Sequence, residues 1–298
     1  MKTLLLFGAI ALSITSFAQE TYVPDDNFEA FLENFSMGNG VPNDDYVTTA
    51  NINGVTNLNI NNQSISDLTG IQDFTALVYF TCDNNQLTSV DVTQNSLLDT
   101  LSCNDNQLTS LDLSLNLALT DLRCNNNLFT SIDVSQNIAL INLECIFNQL
   151  TSLDVTQNIE LTDLWCYENQ LTSLDLSQNT ALAGLICRDN SLMCLNVKNG
   201  NNSNVIFFNA SDNPNLTCIE VDDVFWSNTN WTYIDAQTSF SMSCANSCAL
   251  GIEEVSNTPK QLIKIVDLMG RETPYKPNTV LIYVFDDGST EKVFKMED

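Results

Sequence analysis

The chain has 298 residues, with 10 Lys and Arg against 37 Asp and Glu and no histidine, a formal net charge of −27. Without histidine there is no Ser-His-Asp or Cys-His catalytic arrangement and no imidazole metal ligand, and so acidic a surface repels phosphate backbones and anionic lipid alike. At 44% hydrophobic the chain can still bury a sizeable core, and its 39 Asn outnumber all the acidic side chains together.

Lys2, the apolar run 4–14 and Ser16-Phe17-Ala18 before Gln19 have the form of an export signal over residues 1–18. No Cys follows the cleavage point, which argues against a lipid anchor, and no later run reaches the ~18 apolar residues that span a bilayer. Residues 19–52 read as an N-terminal cap. Asp25 and Asp26 precede a Phe28, Phe31, Leu32 stripe, the pattern of a short amphipathic helix. Residues 55–74 read as an irregular opening rung.

Residues 53–235 are a repeat. Cys82, Cys103, Cys124, Cys145, Cys166 and Cys187 are each 21 residues apart. The unit LDTLSCNDNQLTSLDLSLNLA, written from Leu98, recurs from Leu119, Leu140 and Leu161, with drift from Leu77 and Leu182 and more loosely from Val205. Each unit holds two phrases, LxxLxCxxN and LxxLDLSxN. In extended chain alternate side chains share a face, so Leu101 and Cys103 point in while Thr100 and Ser102 point out; Leu111 and Leu113 point in while Ser110 and Asp112 point out. One unit cannot bury its own apolar edge, and stacking at ~4.8 Å makes the core continuous. The expected fold is mainly β, a solenoid with a parallel strand ladder along each long side.

Asn closes the turns in two columns, one of Asn85, Asn106, Asn127, Asn148, Asn169, Asn190 and Asn213, the other of Asn95, Asn116, Asn137, Asn158 and Asn179. Such residues bond local backbone and tolerate turn conformations, and stacked amides can bond one another. The unit resembles the nested 21-residue bacterial leucine-rich repeat of internalin-type surface proteins. The resemblance implies a scaffold for binding varied partners and does not specify the ligand.

A solenoid also needs a lid at its far end. Phe225, Trp226, Trp231, Tyr233 and Ile234 supply its aromatic bulk, a binding pocket there being the alternative. Residues 236–259 read as C-terminal cap and linker.

The six laddered cysteines are expected to be buried, free and inert. A single-file row of thiols does not converge as zinc requires. Cys194 and Cys218 stand where other rungs carry Ser, outward on adjacent strands, which predicts a Cys194–Cys218 disulfide worth about 3 kcal/mol. Cys218–Cys244 is the alternative, with Cys248 pairing with Cys244 or staying free.

The two faces differ. The second-phrase face repeats Asp91, Asp112, Asp133, Asp154 and Asp175. Asp112, Asp133, Asp154 and Asp175 are weak candidates for calcium, since hard cations take several oxygens, but no DxDxDG-type loop is present. No other cofactor is expected. The first-phrase face varies instead. Trp165, Tyr167, Ile146 and Phe147 fall on neighbouring rungs with Arg123, Glu144 and Arg188 around them, and exposed aromatics ringed by polar groups mark interaction sites. Tolerated surface substitution is the plainer reading of the same residues.

Six of the ten basic residues lie in the last 48 positions. There the runs LIKIVDL, TVLIYVF and EKVFKM alternate, and Asp287-Gly288 is a hairpin cue, so residues 260–298 read as a small β module. The pattern Ile265-Val266-Asp267-Leu268-Met269-Gly270-Arg271-Glu272, Leu281-Ile282-Tyr283, Asp287-Gly288 resembles the type A C-terminal sorting domain of type IX secretion in the Bacteroidetes lineage. The resemblance implies export across both membranes and surface attachment. Together these features predict a secreted or cell-surface, non-enzymatic module that binds an extracellular protein or glycan and no nucleic acid. The alternative is a passive structural element whose Asp ladders hold cations. A ladder offers no cleft for the paired carboxylates of a glycosidase, and its charge weighs against ice binding.

Overall fold

The computed structural model describes residues 18–245, 248, 262–266, 271–274, 280–285 and 290–294. Nearly all of the export signal, most of the linker and the Asp287-Gly288 turn lie outside them. The chain divides into two compact units, Met1–Cys248 and Ala249–Asp298.

The first unit is a β-solenoid. Eight three-residue strands, from Asn57–Asn59 through Tyr79–Thr81, Thr100–Ser102, Asp121–Arg123, Asn142–Glu144, Asp163–Trp165 and Gly184–Ile186 to Phe207–Asn209, pair in parallel without a register slip. The middle residue of each strand faces a single continuous core, and Leu101, Leu122, Leu143 and Leu164 are fully buried. All six laddered cysteines are buried free thiols. Burial pushes their ionisation far up, and Cys187 is pushed up to about 12.

The opposite side departs from expectation. Its hydrogen-bonded ladder holds only four strands, Ser173–Asp175, Cys194–Asn196, Cys218–Glu220 and Ser239–Ser241. The earlier rungs are held there by turns and by asparagine rather than by strand pairing. In the first Asn column each amide ties two rungs: Asn106 donates to Cys82 O of the rung before (3.0 Å) and to its own turn at Cys103 O and Asn104 O, while its Oδ1 accepts from Leu87 N at 3.1 Å. In the second column Asn116 Nδ2 donates to Val92 O and Asn95 O, both at 3.0 Å. The bonds run from amide to backbone, not from amide to amide as stacked side chains would allow. They satisfy polar backbone groups at the edges of a dry core, where an unpaired group costs about 1–3 kcal/mol.

Both ends are closed. Helix Asp26–Asn34 buries Phe28 and Leu32. Asp25 caps it, with Oδ1 accepting from Asn27 N and Phe28 N while Oδ2 accepts from the Ser66 amide and hydroxyl and from Asp67 N. Burial raises that carboxyl, but the bonds from Ser66, Phe28 and Asp67 outweigh it and hold it below the usual carboxylate range. A short antiparallel pair, Glu20–Tyr22 with Tyr46–Thr48, completes this cap and was not evident in the sequence. At the far end Trp231 stacks on Phe208 with centroids 4.1 Å apart and donates Nε1–H to Val205 O. Trp226 and Ile234 pack beside it, whereas Phe225 and Tyr233 remain in solvent.

The disulfide expectation is corrected. Cys194 bonds Cys248 and Cys218 bonds Cys244, so there is no Cys194–Cys218 bridge. Cys194 and Cys218 do lie on neighbouring strands, but the chain beyond Ser241 brings Cys244 and Cys248 back to them. The bridges therefore fasten the end of the solenoid instead of linking two rungs already held by backbone bonds.

The tail strands Leu262–Val266, Val280–Phe285 and Thr290–Phe294 form an antiparallel sheet. They coincide with the three alternating runs read from the sequence, the last strand starting one residue earlier, at Thr290.

Candidate partner-binding face

Register in the first sheet sets the rows of its outer surface. Arg123, Glu144, Trp165, Ile186 and Asn209 follow one another on successive strands, and beside them run Asp121, Asn142, Asp163, Gly184 and Phe207. Nothing in the core constrains these residues, and they differ from rung to rung.

Arg123 Nη2 meets Asp121 Oδ2 at 2.9 Å and its Nε lies 3.6 Å from Glu144 Oε1. The bond to Asp121 raises the guanidinium pKa further, helped by the nearby carboxylates and opposed by partial burial. Glu144 Oε2 also accepts from Asn125 Nδ2 at 2.8 Å. Trp165, next in the row, keeps 36% of its surface in solvent.

Past the cysteine column, Phe147, Tyr167 and Arg188 form one chain of contacts. The Phe147 and Tyr167 rings meet edge to face at 5.9 Å, and the Arg188 guanidinium carbon sits 4.3 Å from the Tyr167 centroid. Phe147 is 51% exposed and has φ 52°. Its column otherwise reads Asn84, Asp105, Asn126, Glu168, Asp189 and Asp212, all left-handed. Asn and Asp tolerate that region, whereas a bulky aromatic there is an outlier costing on the order of 1–2 kcal/mol. An exposed, strained aromatic does nothing for the core, and such strain gathers at functional positions.

Ile146 does not belong to the exposed patch. It is only 6% exposed yet lies outside the core cluster, while its equivalents Asn104, Asn125, Tyr167 and Arg188 on other rungs are half-buried. Ser102, expected outward, is likewise covered, its hydroxyl bonded to Asp83.

Two rungs further on, Ile186, Ile206, Phe207, Phe208, Asn209, Asn230 and Tyr233 line a cleft of about 260 Å³. Sequence reasoning gave Tyr233 to the lid and did not single out Ile206 or Phe207. The available signal was Phe207 in a column that is polar or Gly from Thr100 to Gly184.

The Asp ladder is committed locally. Oδ1 of Asp112, Asp133, Asp154 and Asp175 accepts the backbone N–H two residues on, at 2.9–3.0 Å. These bonds, with those from the neighbouring hydroxyls, hold Asp112 and Asp133 below the usual carboxylate range. One cluster able to hold a divalent cation such as calcium lies instead in the N-terminal cap, where carboxylate oxygens of Asp26, Glu29 and Asp45 come within 4.8 Å of one another. Glu29 there already accepts from Asp44 N and Asp45 N.

No family model and no curated protein matches the chain. Among solved structures it is similar to an internalin C2 of Listeria monocytogenes, with 22% identity, TM-score 0.51, and coverage of 76% of this chain and 99% of that one. It is also similar to a functional domain of InlJ from the same organism that includes a cysteine ladder, at 27% identity and TM-score 0.40. There 73% of this chain matches, and the match spans 61% of the InlJ domain. A leucine-rich-repeat protein of Leptospira interrogans is similar at 18% identity and TM-score 0.41 over 65% of this chain and 62% of that one. The fold is an internalin-like leucine-rich-repeat β-solenoid. Among the described residues no helix is long and apolar enough to cross a membrane.

Proposed function

We propose that the protein is an exported, non-enzymatic binding module that presents the outer face of its first sheet to an extracellular protein or glycan. One observation carries the reading: Phe147 holds an aromatic ring in solvent at a backbone conformation that its whole column otherwise fills with polar residues, and the ring joins Tyr167 and Arg188. Trp, Tyr and Arg on a rigid scaffold are the usual anchors of such surfaces, giving contact area at low cost in side-chain entropy. With Trp165, Arg123 and Glu144 they form a patch that needs no chemistry beyond shape and a few desolvated contacts. The Asp column lends little to the alternative of a cation-bridged coat, because its Oδ1 atoms are engaged in their own turns.

Export fits residues 1–18 as a signal peptide, and surface delivery fits residues 260–298 as a type IX sorting module, the three antiparallel tail strands being compatible with it. A glycan array and a surface-protein pulldown with wild type and a Trp165→Ala/Tyr167→Ala variant test the reading. The variant is expected to lose the partner; equal capture by both forms would remove the patch.

A further inference from the structure

The cleft at the C-terminal end of the first sheet leaves more apolar side chain in water than the patch around Trp165. Ile206, Phe207 and Tyr233 are 73%, 64% and 66% exposed, and Ile186 and Phe208 line the same cleft. Exposed apolar groups gathered at a concavity mark a place where something docks.

A carboxylate from the second strand away reaches toward the cleft. Phe207, Gly184 and Asp163 are consecutive in register. Because Gly184 has no side chain, Asp163 leans over it; a Cβ added at Gly184 would collide with Asp163 Oδ1. The charge around this place has one sign. Residues 19–248 contain 28 Asp and Glu against Arg123, Arg188 and Lys198. All three cations are already paired, Arg123 with Asp121 and Glu144, Arg188 with Glu168 and Asp189, Lys198 with Glu220. An anionic partner finds no unpaired cation on the solenoid, whereas a basic one is drawn in by the field and keeps its charges solvated or paired on arrival.

We propose that this cleft anchors a basic polypeptide segment, with an apolar side chain seated between Phe207 and Tyr233 and a neighbouring Lys or Arg against Asp163, about one strand spacing (~4.8 Å) away. The inference rests on the reading of the first sheet as the binding face and adds to it the anchor and the charge of the partner.

The test titrates the full chain with three labelled peptides of equal length, one of Lys and Leu, one of Lys and Ser, one of Glu and Leu, following fluorescence anisotropy at two salt concentrations. The Lys/Leu peptide is expected to bind, the Lys/Ser peptide about tenfold more weakly, and the Glu/Leu peptide not at all. Phe207→Ser/Tyr233→Ser is expected to weaken the Lys/Leu peptide about tenfold with an unchanged thermal transition, since both side chains are largely in solvent. Asp163→Asn is expected to weaken it and lessen its salt dependence, whereas Glu33→Gln in the N-terminal cap does neither. Equal binding of the Lys/Leu and Lys/Ser peptides, or no effect of the double variant, overturns the anchor; equal binding of the Glu/Leu peptide overturns the charge assignment. Loss with Trp165→Ala but not with Phe207→Ser/Tyr233→Ser leaves the binding face standing and removes this cleft, while no loss with either removes both.

Discussion

The Arg188 guanidinium lies 4.3 Å from the Tyr167 ring centroid while Nη1 reaches Glu168 Oε1 at 3.6 Å and also bonds Asp189. The cation is thus held over an aromatic face by the carboxylates of Glu168 and Asp189. That fixes the Tyr167 ring, against which the Phe147 edge rests, and the patch is ordered before any partner arrives. Preorganisation of this kind lowers the entropic cost of association.

The strain at Phe147 gives a separable prediction. Phe147→Asn restores the residue type its column favours and relieves the left-handed penalty, set against the loss of one aromatic pair worth about 0.5–1.5 kcal/mol. Stability in urea is expected to stay level or rise by up to about 1 kcal/mol, while partner capture falls. A destabilisation well above that value would make Phe147 a packing residue.

The asparagine columns should be as sensitive as the core. Asn127 donates to Cys103 O of the preceding rung and to Cys124 O and Asn125 O of its own, and accepts from Leu108 N at 3.0 Å. Asn127→Ala strands Leu108 N in a dry edge and leaves Cys103 O only the bond from Asn106, for an expected loss of about 1–3 kcal/mol in the urea unfolding free energy. A loss below about 0.5 kcal/mol would mean that water replaces the amide without penalty.

Stability should fall at both ends of the pH scale, for opposite reasons. The laddered thiols have ionisation raised by burial above the ordinary value of 9.0. Above that pH the unfolded chain releases protons that the folded one keeps, so their contribution is complete below pH 9 and is lost as pH climbs toward the folded values. Asp25 is depressed, so its contribution is present above the ordinary carboxylate value and is lost as pH drops through the folded one. Urea midpoints measured from pH 2 to 11 should show the alkaline fall lessened by Cys124→Ala/Cys145→Ala and the acid fall lessened by Asp25→Asn. Unchanged slopes in these variants would contradict the assignment.

How much of this could be read in the sequence depended on periodicity. The 21-residue register of Leu, Cys and Asn fixes the inside of every rung, so the fold and the buried thiols followed from spacing alone. Alternation says that Ile146 stays out of the core, as it does, but not how much of its side chain remains in solvent. The first-choice Cys194–Cys218 pairing fails while the alternative Cys218–Cys244 is present, because Cys244 and Cys248 lie beyond the last repeat, where no period says which rung they return to. The cleft at Phe207 needed three segments to meet, around Ile186, Phe207 and Tyr233, the last outside the regular repeat.

The bridges can be mapped directly. Non-reducing peptide mapping is expected to recover Cys194–Cys248 and Cys218–Cys244, and Cys218→Ser/Cys244→Ser should cost about 3 kcal/mol through release of the loop it closes. A Cys194–Cys218 peptide would contradict the geometry of the C-terminal cap.

Every surface assignment depends on rungs stacked in register around a water-free interior. Rate-resolved alkylation of the native protein, read rung by rung by mass spectrometry, tests this most directly. Cys82, Cys103, Cys124, Cys145, Cys166 and Cys187 are expected to stay unmodified in the native state and to react together once urea unfolds the solenoid. Labelling of Cys103, Cys124 or Cys145 at the rate of an exposed thiol would contradict the stacking and, with it, the face proposed to meet a partner.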